Sequence, residues 1–227
     1  MKLALVGHGK MGKAVEQLAQ ARGWEISCIC GSGRPLDQQG VSSADVVIEF
    51  TRPDAAAGNI ERILSWKKDL VVGTTGWTSR LKEVNEWVRG AGCGMVYGAN
   101  FSIGMNLMFQ LCEHAGKLFG GTAFSPFIFE AHHSAKKDSP SGTARELEAR
   151  LRATTQGHPL PVSSLRAGSF PGTHVVGFDS QFETVTLSHE VRDRRVFAEG
   201  ALHAAQWVVG KKGLFTFEET LGRKGGG

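Results

Sequence analysis

The sequence predicts an α/β fold in two parts, an N-terminal parallel sheet flanked by helices and a second, α+β domain. Strand and helix signals alternate as far as Phe101, the pattern of a parallel sheet, and most later strands then follow one another without helices between them. At the very start, a short apolar strand runs straight into a glycine-rich turn and a helix, the arrangement that opens a dinucleotide-binding unit.

Residues 2–6 form the first strand, and Gly7-His8-Gly9-Lys10-Met11-Gly12 opens a helix that ends near Gly23. In that context Gly7 permits the tight turn, Gly9 lets backbone approach a pyrophosphate and Gly12 allows close helix-to-strand packing. The expectation is a Rossmann-type domain with Gly7, His8, Gly9, Lys10, Met11 and Gly12 at the cofactor; a purely structural glycine turn is the alternative. The second strand covers residues 24–30. An NAD-preferring site places an acidic residue about twenty positions beyond the glycines, and here Gly31-Ser32-Gly33-Arg34 follows instead. The hydroxyl of Ser32 and the guanidinium of Arg34 suit a 2′-phosphate. NADPH is therefore the favoured cofactor with NADH also accepted, the alternative being that Arg34 is only a surface charge.

The third strand spans residues 45–50, after which Thr51-Arg52-Pro53 opens a helix with proline in its first turn. Residues 70–73 form the fourth strand, Thr78 is expected to cap a helix through about Arg89, and residues 95–97 begin a fifth strand. Strand ends line the crevice of a parallel sheet. Gly73, Thr74 and Thr75, with Gly98, Ala99, Asn100 and Phe101, are thus candidate nicotinamide-side loops, ordinary turn chemistry being the alternative.

From Ser102 a helix carrying Ile103, Leu107, Leu111 and Leu118 leads away, and an almost continuously apolar strand covers residues 124–131. Strands near 162–167, 174–178 and 182–189 predict a mainly antiparallel sheet, and a helix from about 198 to 209 is expected to return to the first domain. Residues 1–101 plus 195–227 are accordingly read as the dinucleotide-binding domain and 102–194 as the substrate-binding and oligomerisation domain. A sheet apolar on both faces needs covering, and self-association is one means. The Gly-Arg-Lys-Gly-Gly-Gly tail is read as a frayed end.

The richest chemistry lies in Glu130-Ala131-His132-His133-Ser134-Ala135-Lys136-Lys137-Asp138-Ser139-Pro140-Ser141-Gly142-Thr143-Ala144. Imidazole and ammonium groups give up protons near neutral pH once neighbours tune them, and a helix opening at Ser141 aims N–H groups and a positive dipole end at an anion. A small anionic substrate that gains a proton is the reading; a polar loop with locally bonded histidines and solvated lysines is the alternative.

Composition narrows the classes. The 227 residues carry a net charge of +4 in scattered basic pairs, without a basic tract or interleaved aromatics, so nucleic acid is not needed to explain the charge. No apolar run is long enough to cross a bilayer. The N-terminus lacks a signal-peptide cleavage site and is needed as a strand, which predicts a cytoplasmic protein. Cys28, Cys30, Cys93 and Cys112 have no paired C-x-x-C spacing and read as buried thiols; no metal is expected.

Blocks in fixed order carry a family resemblance: Gly7-x-Gly9-x-Met11-Gly12, Val46-Val47-Ile48-Glu49-Phe50-Thr51, Gly73-Thr74-Thr75-Gly76 with Asn100-Phe101-Ser102-x-Gly104-x-Asn106, and the 130–144 segment. A weaker block is Arg166-x-Gly168 through Gly172-x-His174. The chain resembles the 4-hydroxy-tetrahydrodipicolinate reductase (dihydrodipicolinate reductase) family of the bacterial and plant diaminopimelate and lysine pathway. The resemblance implies NAD(P)H-dependent reduction of a cyclic dicarboxylic imine to tetrahydrodipicolinate, and a homotetramer. It implies His132 as proton donor or acceptor, Lys136 as proton donor, and His133, Gly142 and Thr143 as substrate contacts, to which the physics of the helix opening adds Ser141. Departures are the brief segment between Cys30 and Asp45, the absent acidic residue after the second strand, the uncharged Ser134-Ala135 pair and a second lysine, Lys137, beside Lys136. Spacing favours Lys136. Outside this reading stand a different imine or aldehyde reductase on the same plan, such as an amino-acid dehydrogenase, and a nucleotide-sensing protein without chemistry.

Overall fold

A computed structural model of the chain describes residues 1–155 and 157–222, so the tail read as frayed lies, beyond Gly222, outside the described residues. It contains two compact units: Met1–Ile103 with the segment from Arg195 onward, and Gly104–Arg194.

The first unit is a six-stranded sheet of β1 (Lys2–Val6), β2 (Glu25–Cys30), β3 (Val46–Glu49), β4 (Asp69–Val72), β5 (Gly94–Tyr97) and β10 (Gly213–Thr216), in the order β10-β5-β4-β3-β1-β2. Every pairing is parallel. Such strands are covered on both faces and are apolar on both, as the buried Val46, Val47 and Ile48 of β3 show. On one face Val47, Leu70, Val72 and Met95 meet Ile60, Ile63 and Leu64 of α3 (Pro53–Ser65) and Val84 and Val88 of α4 (Leu81–Ala91). On the other, Leu3, Leu5, Ile48 and Val71 meet Val15 and Ala19 of α1 (Lys10–Ala21) and Ala201, Leu202 and Ala205 of α7 (Arg195–Val208). Since β2 lies to one side of β1 and all later strands of the sheet to the other, strand order reverses between β1 and β3, where open α/β sheets bind ligands.

Three features depart from expectation. The brief segment after β2 still builds a short helix, α2 (Gln38–Ser42), capped by Asp37 Oδ1 accepting from Gly40 N at 2.7 Å. Thr78 does not cap α4: it opens a 3₁₀ turn (Thr78–Arg80), and Arg80 precedes α4 without a side-chain cap. The guanidinium of Arg80 instead grips Glu83 through two bonds of 2.7 and 2.6 Å across the first turn. Finally, β10 adds an edge strand that four residues of modest β signal did not announce.

The second unit is a four-stranded sheet of β6 (Ser125–His132), β7 (Val162–Arg166), β8 (Thr173–Asp179) and β9 (Thr184–Glu190), ordered β7-β6-β8-β9. The β6–β8 and β8–β9 pairs are antiparallel, whereas β7 runs parallel to β6 because α6 (Gly142–Arg152) lies between them in the chain. Ile128, Val176 and Phe178 on the sheet, Leu147 and Leu151 on α6 and Met105, Met108, Phe109 and Cys112 on α5 (Ile103–Phe119) form its core. The leucines that mark α5 in the sequence, Leu107, Leu111 and Leu118, are exposed. The buried stripe is the one containing Gly116, whose missing side chain admits Thr154 and Leu151 against the helix. All four cysteines are buried free thiols. Among the described residues, no helix is long and apolar enough to cross a membrane.

Candidate active site

The first unit holds a cleft of about 330 Å³ at the strand-order reversal, lined by Gly9, Lys10 and Met11 after β1, Phe50, Thr51 and Pro53 after β3, and Gly73, Thr74 and Thr75 after β4. Local sequence explains its shape. Gly7 has φ +97°, and a Cβ there would strike the Phe50 carbonyl. Gly12 brings the start of α1 onto the Gly7 carbonyl, where no Cβ fits. Gly9 caps α1 without a side-chain bond and has open space around it, so the first N–H groups of the helix and its positive dipole end remain available. These features, with Lys10 exposed at the first turn, fit a nucleotide diphosphate.

The turn after β2 is closed by Gly31 N donating to Arg34 O at 2.7 Å and Arg34 N to Gly31 O at 3.2 Å, which leaves Ser32 and Arg34 exposed. It stands beside the glycine turn, a Cβ on Gly31 falling 3.9 Å from His8 N. The His8 ring is engaged with Glu16 at 2.7 Å. At the other end of the sheet, Gly98, Ala99 and Asn100 follow β5 outside the lining of this cleft. The Phe101 side chain lies in the core, its ring 4.7 Å from Phe217 and 6.1 Å from Phe50 between centroids, which leaves its backbone in the loop after β5.

Beneath the cleft lies Glu49, completely buried at the end of β3. Burial pushes its carboxyl up, against the opposing pull of Thr51, Thr74 and Asn59. Its Oε1 accepts from the Thr51 hydroxyl, and Asn59 Nδ2 approaches it at 3.4 Å, while Thr74 Oγ1 accepts from Thr51 N at 2.7 Å. Glu49 thus ties together two of the loops that line the cleft. Only its place in a family block marked it in the sequence.

The second unit carries a polar cluster of its own on β6 and its neighbours. Side chains two apart on a strand share a face, so Glu130 and His132 extend the row of Ile128; cross-strand register adds His174 of β8 opposite Glu130 and Arg166 of β7 opposite His132. Arg166 Nη2 donates to Glu130 Oε1 at 2.6 Å and to the Asp138 carbonyl at 2.6 Å, Ser141 N approaches the same Oε1 at 3.3 Å, and Glu130 Oε2 pairs with His132 Nδ1. Burial alone would raise the Glu130 carboxyl; Arg166, Ser164, His132 and the Ser141 amide together hold it down at about 2. His132 is pushed below its ordinary value by burial, opposed by Glu130 and reinforced by Lys136 and Arg166. His174, 4% exposed and edge-on to His132 at 5.1 Å, is driven to about 4 by burial, with His132, His189 and Lys136 adding to the fall.

Lys136 Nζ pairs with Asp138 Oδ1 at 2.7 Å and is less exposed than Lys137, which faces solvent. That bond, first of all, lowers the Asp138 carboxyl, and the Gly142 N–H contributes. A carboxylate therefore already rests between Lys136 and the start of α6. Ser141 caps α6, its Oγ accepting from Ala144 N at 3.2 Å and lying 3.3 Å from His174 Nε2. It is buried, so its hydroxyl serves the fold while Gly142 and Thr143 form the accessible first turn. His133 is half-buried, its N–H bonded to Phe170 O at 2.9 Å. Glu130, His132 and His174 bring ligand atoms within 4.8 Å of one another, but the guanidinium on Glu130 disfavours a cation there.

Residues 1–101 match the family model described as dihydrodipicolinate reductase, N-terminus, and residues 104–221 the model of its C-terminus. The chain belongs to the dihydrodipicolinate reductase family. It is 37% identical over 213 residues to the 4-hydroxy-tetrahydrodipicolinate reductase of Methanoregula boonei, covering 87% of this chain and 79% of that protein. The protein of the same name from Christiangramia forsetii is 32% identical over 233 residues, 97% of this chain and 98% of its own. The solved structure of dipicolinate-bound dihydrodipicolinate reductase from Paenisporosarcina sp. TG-14 shares the fold, with a TM-score of 0.81 at 22% identity over 96% of this chain and 98% of that one.

Proposed function

We propose that this chain is a pyridine-nucleotide-dependent reductase that converts 4-hydroxy-tetrahydrodipicolinate, by way of its dehydrated cyclic imine, to tetrahydrodipicolinate in diaminopimelate and lysine biosynthesis. Family membership and the names of its relatives support the reaction. The single observation that carries the site is the buried His132, backed by an ionised carboxylate and close to Lys136 and the opening of α6. The first unit binds the nucleotide, and the second binds substrate and assembles the oligomer.

The reduced nicotinamide supplies the hydride. Hydride addition leaves electron density on the conjugated imine that a proton must quench, and His132 and Lys136 are the groups able to deliver it. His133, Gly142 and Thr143 hold the two carboxylates, one of which takes the place of Asp138 at the α6 N-terminus, where dipole and N–H groups favour an anion. NADPH is the preferred cofactor, through Ser32 and Arg34 on the turn beside the glycines. The outer face of the four-stranded sheet, with Phe127, Phe129, Val175 and the 42% exposed Leu165, is the surface for self-association into a tetramer.

Steady-state kinetics test the residue roles. Lys136→Ala and His132→Ala are expected to lower turnover by ~10² to 10⁴, the worth of a positioned proton donor, with cofactor affinity preserved. His133→Ala and Thr143→Val raise KM, and Lys137→Ala is mild. A crippled Lys137→Ala beside a near-normal Lys136→Ala overturns the assignment. Light scattering on Leu165→Lys tests the assembly, an unchanged oligomer counting against that face.

A further inference from the structure

Glu130 takes no part in the proton transfer described above, yet it is fully buried, on the same strand and the same face as His132. A buried carboxylate is tolerated only when it is paired and hydrogen-bonded. If its role were only to satisfy Arg166, both oxygens would be free to share that task. They do not share it: Arg166 Nη2 and Ser141 N both engage Oε1, at 2.6 and 3.3 Å, and Oε2 is left against His132 Nδ1. Arg166 is itself held, by the carbonyls of Asp138 at 2.6 Å and Leu165 at 2.8 Å. On the other side of the imidazole, Nε2 lies toward Gly172, where a Cβ would come within 3.1 Å. One ring nitrogen is ion-paired with a carboxylate, and the other faces a position without a side chain.

We propose that Glu130 is the positioning residue of His132: anchored through Oε1, it holds Nδ1 with Oε2, makes Nε2 the nitrogen that exchanges the proton, and stabilises the ring while it is charged. The proposal rests on the reading of His132 as a proton carrier. A carboxylate behind an imidazole fixes its tautomer and favours its protonated form. Here it offsets burial and the repulsion of Lys136 and Arg166, while His174 beside the ring stays neutral at working pH.

The test is the titration of the His132 ring by NMR, with kinetics on the same proteins. In Glu130→Gln the His132 midpoint is expected to fall, because the one charge that favours imidazolium is gone. Turnover drops about 10- to 100-fold, a part of what a proton donor contributes, and KM moves less than about threefold. Glu130→Asp keeps the charge beside Arg166, and so the fold, but withdraws the carboxylate from Nδ1; it also lowers turnover and serves where Gln does not fold. The double variant Glu130→Gln/His132→Ala is no slower than His132→Ala alone. The exposed Glu146→Gln leaves midpoint and turnover unchanged. A His132 midpoint unmoved by Glu130→Gln, or wild-type turnover in Glu130→Asp, overturns the positioning role even with His132→Ala crippled. A near-normal His132→Ala overturns the proton-carrier reading instead.

Discussion

His174 ties the stability of the second unit to pH in a window that can be measured. Buried opposite Glu130, its ring is driven from an ordinary 6.5 to about 4 by loss of solvent, with His132 and His189 adding to the fall. The folded state therefore takes up this proton less readily than the unfolded chain does. Its neutral ring is fully compatible with the fold above pH 6.5; as pH falls from there toward 4 the unfolded chain gains a proton that the folded one refuses, and stability is lost. At 1.36 kcal/mol per pH unit the loss is about 3 kcal/mol. Glu130, held near 2, acts in a lower window: its contribution is present above 4.5 and disappears only as pH falls toward 2. The perturbation is His174→Gln, which keeps a polar partner for Ser141 Oγ and removes the titration. Urea unfolding followed by far-UV circular dichroism, at a series of pH values between about 7 and about 4, gives the stability of both proteins. Tryptophan fluorescence serves as the control, since Trp24, Trp66, Trp77, Trp87 and Trp207 all lie in the first unit. His132 and His189 are also lowered by burial and give both proteins some acid sensitivity, so the informative quantity is the difference between the two curves. Wild type is expected to lose about 3 kcal/mol more than His174→Gln over that range. Parallel curves would refute the reasoning.

Three other expectations concern the first unit, and one a thiol of the second. Gly73→Ala places a Cβ in the Phe50 ring and is expected to cost about 1–3 kcal/mol and to weaken cofactor binding; an unaltered melting temperature counts against the packing. Arg34→Ala weakens NADPH selectively, measured as separate dissociation constants for the two nucleotides, and equal loss for both removes the 2′-phosphate assignment. The folded pKa of Glu49 is raised, so its stabilising neutral form is present below 4.5 and lost as pH rises; Glu49→Gln is expected to flatten that dependence, checked by denaturant unfolding across the acid range. Cys112, pushed up to about 12 by burial, resists alkylation in the native protein at neutral pH, and rapid labelling by iodoacetamide would contradict its burial.

The parallel sheet was legible because its signals are local. An apolar run followed by Gly7-x-Gly9-x-x-Gly12 specifies strand, turn and helix within a dozen residues; Gly12 answers to a contact five positions away and Gly7 to the adjacent strand end. Ser141 as the cap of α6 was legible for the same reason: its oxygen meets an N–H three residues on. Where local rules compete, the sequence was less decisive. Thr78 has the chemistry of a cap, yet the grip of Arg80 on Glu83 carries the helix start elsewhere. On α5 two stripes of apolar residues fit the helical period, and only contact with α6 at Gly116 selects the one containing Met105, Phe109 and Cys112. Phe101 sits in a block read as a cofactor loop, and the sequence did not show that its ring completes the core against Phe217, more than a hundred residues away in the chain.

By itself, then, the sequence determined the nucleotide turn, the two-part architecture and the candidate proton donors His132 and Lys136, all carried by residues close together in the chain. Tertiary structure alone decided how those donors are held. Glu130, Arg166 and His174 lie on three strands whose pairing brings them to one face, and the electrostatic state of His132 is the sum of charges and lost solvent delivered by that pairing. Charge and desolvation act through space, so a residue 36 positions away in the chain sets the state of Glu130, which is why no spacing rule along the chain could find it.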